Sequence, residues 1–98
     1  MADILYLPAA KKYLKKIREA GLKDAFRSAI EAIADGSAEG SEKTGDLTGI
    51  YGYDIYYSGV NYEIAYTIVT VEGRKVVIIM AGPRENFYES LKRYMKSI

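Results

Sequence analysis

Hydrophobic and polar positions change period along this chain, and the changes mark its elements. A short apolar run, residues 4–7, is closed by Pro8 and predicts a strand. From residue 9 to residue 20 the apolar positions Tyr13, Leu14, Ile17 and Ala20 recur at helical spacing, while Lys11, Lys12, Lys15, Lys16 and Arg18 take the other face. Pro8 suits the first turn of such a helix and Gly21 suits a stop just beyond it. Leu22, Phe26, Ala29, Ile30 and Ile33 continue the period to about Asp35, so the spacing predicts a helical hairpin. Residues 35–45 are polar and glycine-rich, a loop.

The period then drops to two. In residues 49–58, Tyr51, Tyr53, Ile55 and Tyr57 alternate with Gly52, Asp54 and Tyr56. After the glycine turn Ser58-Gly59-Val60-Asn61, the residues Tyr62, Ile64, Tyr66 and Ile68 alternate with Glu63, Ala65 and Thr67. Two such runs predict a β-hairpin. Val71-Glu72-Gly73-Arg74 is a second turn, and residues 75–81 are apolar on both faces, as an inner strand requires. Phe87, Leu91, Tyr94, Met95 and Ile98 give a last helix over residues 86–96, with Asn86 as its expected N-cap and Glu89 three positions on. The predicted order is β-α-α-β-β-β-α, an α+β fold in one domain spanning residues 1–98. Its helix hairpin packs on one face of a small, mainly antiparallel sheet, the face holding Tyr53, Ile55, Tyr62, Ile64 and Tyr66. The opposite face, with Asp54, Tyr56 and Glu63, is expected to stay open. A register slip of one residue would exchange Tyr56 and Glu63 with Tyr57 and Tyr62.

Composition narrows the chemistry. An apolar fraction of 49% with 28% charged residues is that of a globular protein. No apolar run reaches the ~20 residues of a membrane span, and the N-terminal Met1-Ala2-Asp3-Ile4 lacks the basic start of a leader peptide. The chain has no cysteine and no histidine. Disulfides and thiolate metal sites are thereby excluded, a cytoplasmic home is expected, and no metal or other cofactor is expected. Proton transfer near neutral pH falls to a perturbed carboxylate, lysine or tyrosine. The net charge is only +1, yet seven of the 14 basic residues lie between Lys11 and Arg27, a solvated helix face or, in the functional alternative, one that contacts RNA by neutralising its backbone. Six of the ten tyrosines lie between Tyr51 and Tyr66, where they suit half-buried strands and can stack on unpaired bases.

Three segments, Gly45-Asp46-Leu47-Thr48-Gly49-Ile50-Tyr51, Asn61-Tyr62-Glu63-Ile64-Ala65-Tyr66 and Ala81-Gly82-Pro83-Arg84-Glu85-Asn86-Phe87-Tyr88, together with the element order, make the chain resemble the RelE/ParE superfamily of toxins from type II toxin–antitoxin pairs. The RelE branch of that resemblance implies an mRNA endoribonuclease, or interferase, that inhibits translation at the ribosome. It needs no metal, makes the 2′-hydroxyl attack the adjacent phosphorus, and is silenced by a cognate antitoxin. The resemblance also implies partners: the antitoxin, mRNA and, for that branch, the ribosome, with no membrane. The arginine of the last-strand turn falls on Arg84 and the late tyrosine on Tyr88. Two lysines of the RelE branch fall on Asp54 and Tyr56, and the arginine of its tyrosine-arginine strand falls on Glu63.

From these come the candidate site residues. Arg84, Glu63 and Tyr88 are assigned to catalysis, and Tyr56 and Lys43 to substrate binding. Arg84 would hold a phosphate with its guanidinium fork; the alternative is an exposed arginine paired with Glu85 or Glu63. Glu63 would be the general base if burial or neighbours raise its pKa, and a solvated strand glutamate otherwise. Tyr88 would orient the nucleotide or pack beside Phe87. Two other functions stay open: a ParE-like toxin that binds DNA gyrase without chemistry, and a catalytically silent member that only binds its antitoxin.

Overall fold

The computed structural model describes residues 2–98; Met1, part of the N-terminal run read above for a leader, lies outside the described residues. Strand β1 (Asp3–Tyr6) precedes the helices α1 (Pro8–Lys16) and α2 (Ala20–Asp35). A two-residue strand β2 (Ser41–Glu42) and a 3-10 turn (Gly45–Leu47) lead to β3 (Tyr51–Tyr57), β4 (Val60–Val69), β5 (Lys75–Pro83) and helix α3 (Phe87–Ser97). The sheet order is β1-β5-β4-β3-β2, antiparallel except for β1, which runs parallel to β5 at one edge. Among the described residues no helix is long and apolar enough to cross a membrane.

The alternation read from the sequence fixes which residues face the helices. Ile55, Ile64 and Tyr66 are buried with Phe26, Ile30 and Ile33 of α2 and Ala10 of α1, and Tyr53 and Tyr62 pack against them. Fully burying side chains of this size contributes about 1.5–3 kcal/mol each before conformational entropy is subtracted. Tyr51 and Tyr66, directly opposite in the β3–β4 ladder, stack with ring centroids 5.4 Å apart. The Tyr66 hydroxyl accepts the Gly40 N–H at 2.7 Å, so this buried phenol is satisfied.

The opposite face is open only in part: Asp54 and Tyr56 stay exposed on it, but Glu63 and its neighbours are covered. Helix α3 lays Phe87 and Leu91 on it, against Ala65, Ile79, Leu47 and Ile50, and so makes a second core. An irregularity in the β4–β5 ladder supports this packing: Ala65 pairs with Met80 and Tyr66 with Ile78, leaving Ile79 as the extra residue. Consecutive residues Ile79 and Met80 thus both serve the α3 side, while Ile78 and Ala81 serve the helix-hairpin side. The motif residue Leu47 fills this second core from the 3-10 turn.

Other boundaries also differ from the sequence reading. Helix α1 ends at Lys16, because Ile17 turns to an extended conformation and buries its side chain. Gly21 is therefore no stop signal; it lies in the first turn of α2, where a Cβ would stand 3.0 Å from Cζ of Tyr57. Asn86 does occupy the N-cap position, but in a left-handed conformation (φ 57°) with no side-chain hydrogen bond. The C-terminus of α2 is closed from a distance, with the Arg74 guanidinium donating to the Ala34 carbonyl at 2.8 Å.

Candidate functional site

Strand register builds the site. Ser58 and Gly59 both take positive φ (51° and 81°) in a two-residue turn, and the ladder running back from it sets Asp54 directly opposite Glu63. Both side chains lie on the α3 side of the sheet, one face away from the aromatic core. On β5 the residue paired with Glu63 is Gly82, which brings no side chain.

Glu63 is only 2% exposed, the one buried charged side chain among the described residues. The Tyr88 hydroxyl, projected from the first turn of α3, donates to its Oε2. Its Oε1 is buried and has no hydrogen-bond partner. Lys43 closes the other side: its backbone N–H donates to the Ile50 carbonyl at 2.8 Å, and its Nζ stands 4.8 Å from the centroid of the Tyr88 ring. Gly52 forms the floor. A Cβ there would lie 2.7 Å from both Glu63 Oε2 and Lys43 Cε, and would collide with the Tyr88 hydroxyl. Only glycine allows the three side chains to meet.

This environment retunes Glu63. Its pKa is pushed up to about 7, chiefly by burial and then by the adjacent Asp54 carboxylate through hydrogen bonding and charge, against the opposing pull of Tyr88 and Lys43. Tyr88 is also raised, first by burial and then by its bond to Glu63, with Arg84 acting weakly in the opposite direction. A carboxyl that exchanges its proton near neutrality is what the missing histidine would otherwise supply.

The proposed residues are not all brought together. Glu63, Tyr88 and Lys43 form one cluster. Arg84 is exposed at its margin, in the turn where its N–H donates to the Asn61 carbonyl at 2.9 Å, and its charge is felt at Tyr88. It makes no ion pair with Glu85 or Glu63; among the described residues the ion pair found is Arg27–Asp24. Tyr56 is 71% exposed, two residues along β3 from Asp54, and no hydrogen bond joins it to the cluster. Tyr88 packs edge-on to Phe87 at 5.3 Å, as its structural reading expected, while its hydroxyl is held by Glu63. Sequence reasoning passed over Gly52 and gave Asp54 no part, although the two-residue turn contains the signal that pairs Asp54 with Glu63. Glu63 lies on the expected face, but α3 covers it. Among the described residues, no group of three or more metal-ligating side chains is gathered.

With fold and site in view, the chain is a small α+β protein whose sheet is clasped between an N-terminal helix pair and a C-terminal helix. Residues 4–92 match the model of the ParE-like toxins of type II bacterial toxin–antitoxin systems, and the chain belongs to that family. The double arginine-to-alanine mutant of Escherichia coli RelE in the free state is similar over 100% of this chain and 99% of its own, with TM-score 0.72 and 16% identity. The isolated E. coli RelE toxin gives TM-score 0.67 and 18% identity, covering 95% of this chain and 98% of that one. In the intact E. coli RelBE toxin–antitoxin complex the likeness covers 84% of this chain and 95% of the matched chain, with TM-score 0.66 and 16% identity. At these identities the likeness is one of fold. No curated protein matches in sequence.

Proposed function

We propose that this toxin is an mRNA endoribonuclease that inhibits translation, acting in the cytoplasm and held in check by a cognate antitoxin. The observation that carries the reading is Glu63, a buried carboxyl with a pKa of about 7, hydrogen-bonded to a tyrosine that reaches toward the surface. A base is most effective when its pKa lies near the working pH. Because Glu63 is sealed behind Tyr88, the proton travels in relay. The substrate 2′-hydroxyl gives its proton to the Tyr88 oxygen as the Tyr88 proton passes to Oε2 of Glu63. The 2′-oxygen bonds to the adjacent phosphorus, the bond to the 5′-oxygen breaks, and that oxygen takes a proton from water. Arg84 stabilises the charged phosphorane, Lys43 meets a phosphate, and Tyr56 stacks a base. Mapping mRNA ends in cells expressing the protein tests this: new ends that vanish in Glu63→Gln are expected, and growth arrest without new ends removes the reading.

One observation favours a second function. Positions that carry lysine and arginine in the RelE branch hold the facing acids Asp54 and Glu63 here, which do not attract phosphate. A toxin that binds DNA gyrase without chemistry has no need of those cations. Inhibition of supercoiling by purified gyrase at micromolar toxin would support it.

Either toxin needs an antitoxin, and the surface beside β1 suits one. Leu5 and Tyr6 are 50% and 43% exposed on the edge strand, and a groove of about 490 Å³ runs from Ile4 to Leu14 under Lys11, Lys15 and Lys23. An acidic segment with apolar anchors complements it in shape and charge.

A further inference from the structure

We infer that Asp54 is a positioning residue for Glu63: the two carboxyls share a proton across the β3–β4 ladder, and Asp54 thereby sets how firmly Glu63 holds it. The inference stands on geometry. Two acids directly opposite each other on one face destabilise a sheet when both are ionised. Asp54 and Glu63 are such a pair, and Glu63 is buried while Asp54 is exposed at the site's mouth. Oε2 of Glu63 already receives the Tyr88 hydrogen, and Oε1 is buried with nothing to accept or donate. A buried oxygen without a partner is costly. A proton on Oε1, shared with the carboxylate of Asp54 directly opposite on the β3–β4 ladder, removes that cost. The protonated pair then carries one negative charge instead of two, and every polar atom of Glu63 has a partner.

The charged and titratable groups around Glu63 are few. Asp54 faces it from β3, Lys43 from the segment after β2, and Tyr88 from α3, with Arg84 beyond Tyr88; Gly82 on β5 offers nothing. Of these, Asp54 alone favours the proton both through its charge and as an acceptor. Lys43 and the Tyr88 hydrogen bond favour the ionised form. Removing Asp54 or removing the Tyr88 hydroxyl therefore moves Glu63 in opposite directions, a pattern that general loosening of the fold would not produce.

The catalytic consequence rests on the nuclease reading, in which a firmer hold on the proton makes Glu63 a stronger base. The proton sharing itself does not. The test is a carbon-13 titration of the Glu63 carboxyl in the full chain, for wild type, Asp54→Asn and Tyr88→Phe, with pH profiles of RNA cleavage alongside. The Asp54→Asn midpoint is expected to fall by about one unit or more, since an amide donates to the ionised carboxylate, and the Tyr88→Phe midpoint to rise. In the cleavage profile the acid limb of Asp54→Asn moves down with the titration and the plateau drops, as for a weaker base. A Glu63 midpoint equal in wild type and Asp54→Asn, with both folded by circular dichroism, overturns the inference. A midpoint that falls in a protein that cuts no RNA upholds the proton sharing and removes the nuclease reading instead. If Asp54→Asn does not fold, Asp54→Ser takes its place with the same expected direction.

Discussion

Tyr88 donates its phenolic hydrogen to Oε2 of Glu63, tying the first turn of α3 to the middle of the sheet through a carboxyl that water does not reach. That bond makes the site and the fold one object, and stability should register the protonation of Glu63. The folded-state pKa of about 7 lies above the ordinary 4.5. The folded protein therefore holds a proton that the unfolded chain has released. The stabilisation is complete below about pH 4.5 and is lost as pH rises toward 7 and beyond. Wild type is expected to lose roughly 2–3 kcal/mol between pH 5 and 8 through this group, and Glu63→Gln to lose much less. Urea unfolding at stepped pH checks it.

Gly52 is the most sensitive position in the site. Gly52→Ala pushes a methyl against Glu63, Lys43 and Tyr88 together. The expected cost is about 1–3 kcal/mol, with the Glu63 carboxyl exposed and its titration returned toward the ordinary range. Thermal unfolding and the same carboxyl titration measure the two effects.

Under the nuclease reading, Arg84→Ala should lower cleavage on the order of 100-fold or more, mostly in kcat, because the guanidinium serves the charged transition state. Tyr56→Ala should instead weaken substrate binding by about 1–3 kcal/mol, the worth of one stacked base, and appear in KM. Single-turnover cleavage over a range of protein concentration separates them.

Arg74 offers a structural control remote from this chemistry. Arg74→Ala removes the guanidinium bonds to the Ala34 and Ile33 carbonyls at the end of α2. A loss of about 1 kcal/mol is expected, roughly 4–8 °C in Tm, with the Glu63 titration unmoved.

Much of this was legible in the sequence, and the remainder failed for identifiable physical reasons. Period-two alternation sorted Tyr53, Ile55, Tyr62 and Ile64 from Asp54 and Glu63 correctly, because an alternating strand with one face on a core admits a single register. The two-residue β2 carries too little pattern to be read. The covering of the second face escaped because amphipathicity shows that α3 buries one side, not which surface receives it. Two things hid the burial of Glu63. A charged residue in a strand is ordinarily at the surface, and the floor that admits it, Gly52, has no side chain to announce itself. Gly21 misled for a related reason: the sequence marks a glycine, but not whether the need is a helix stop or room for Tyr57.

The turn at Ser58-Gly59 stands four rungs along the ladder from Asp54 and Glu63, outside the cluster. It nevertheless acts as the ruler for that pair. A change of turn that slipped the β3–β4 register by one residue would bring Tyr53 or Ile55 opposite Glu63 and leave that buried acid facing a neighbour unable to share its proton. The length of an exposed loop is thus a control on acid–base chemistry at a distance. Such a shift would retune Glu63 without a substitution at any residue of the cluster.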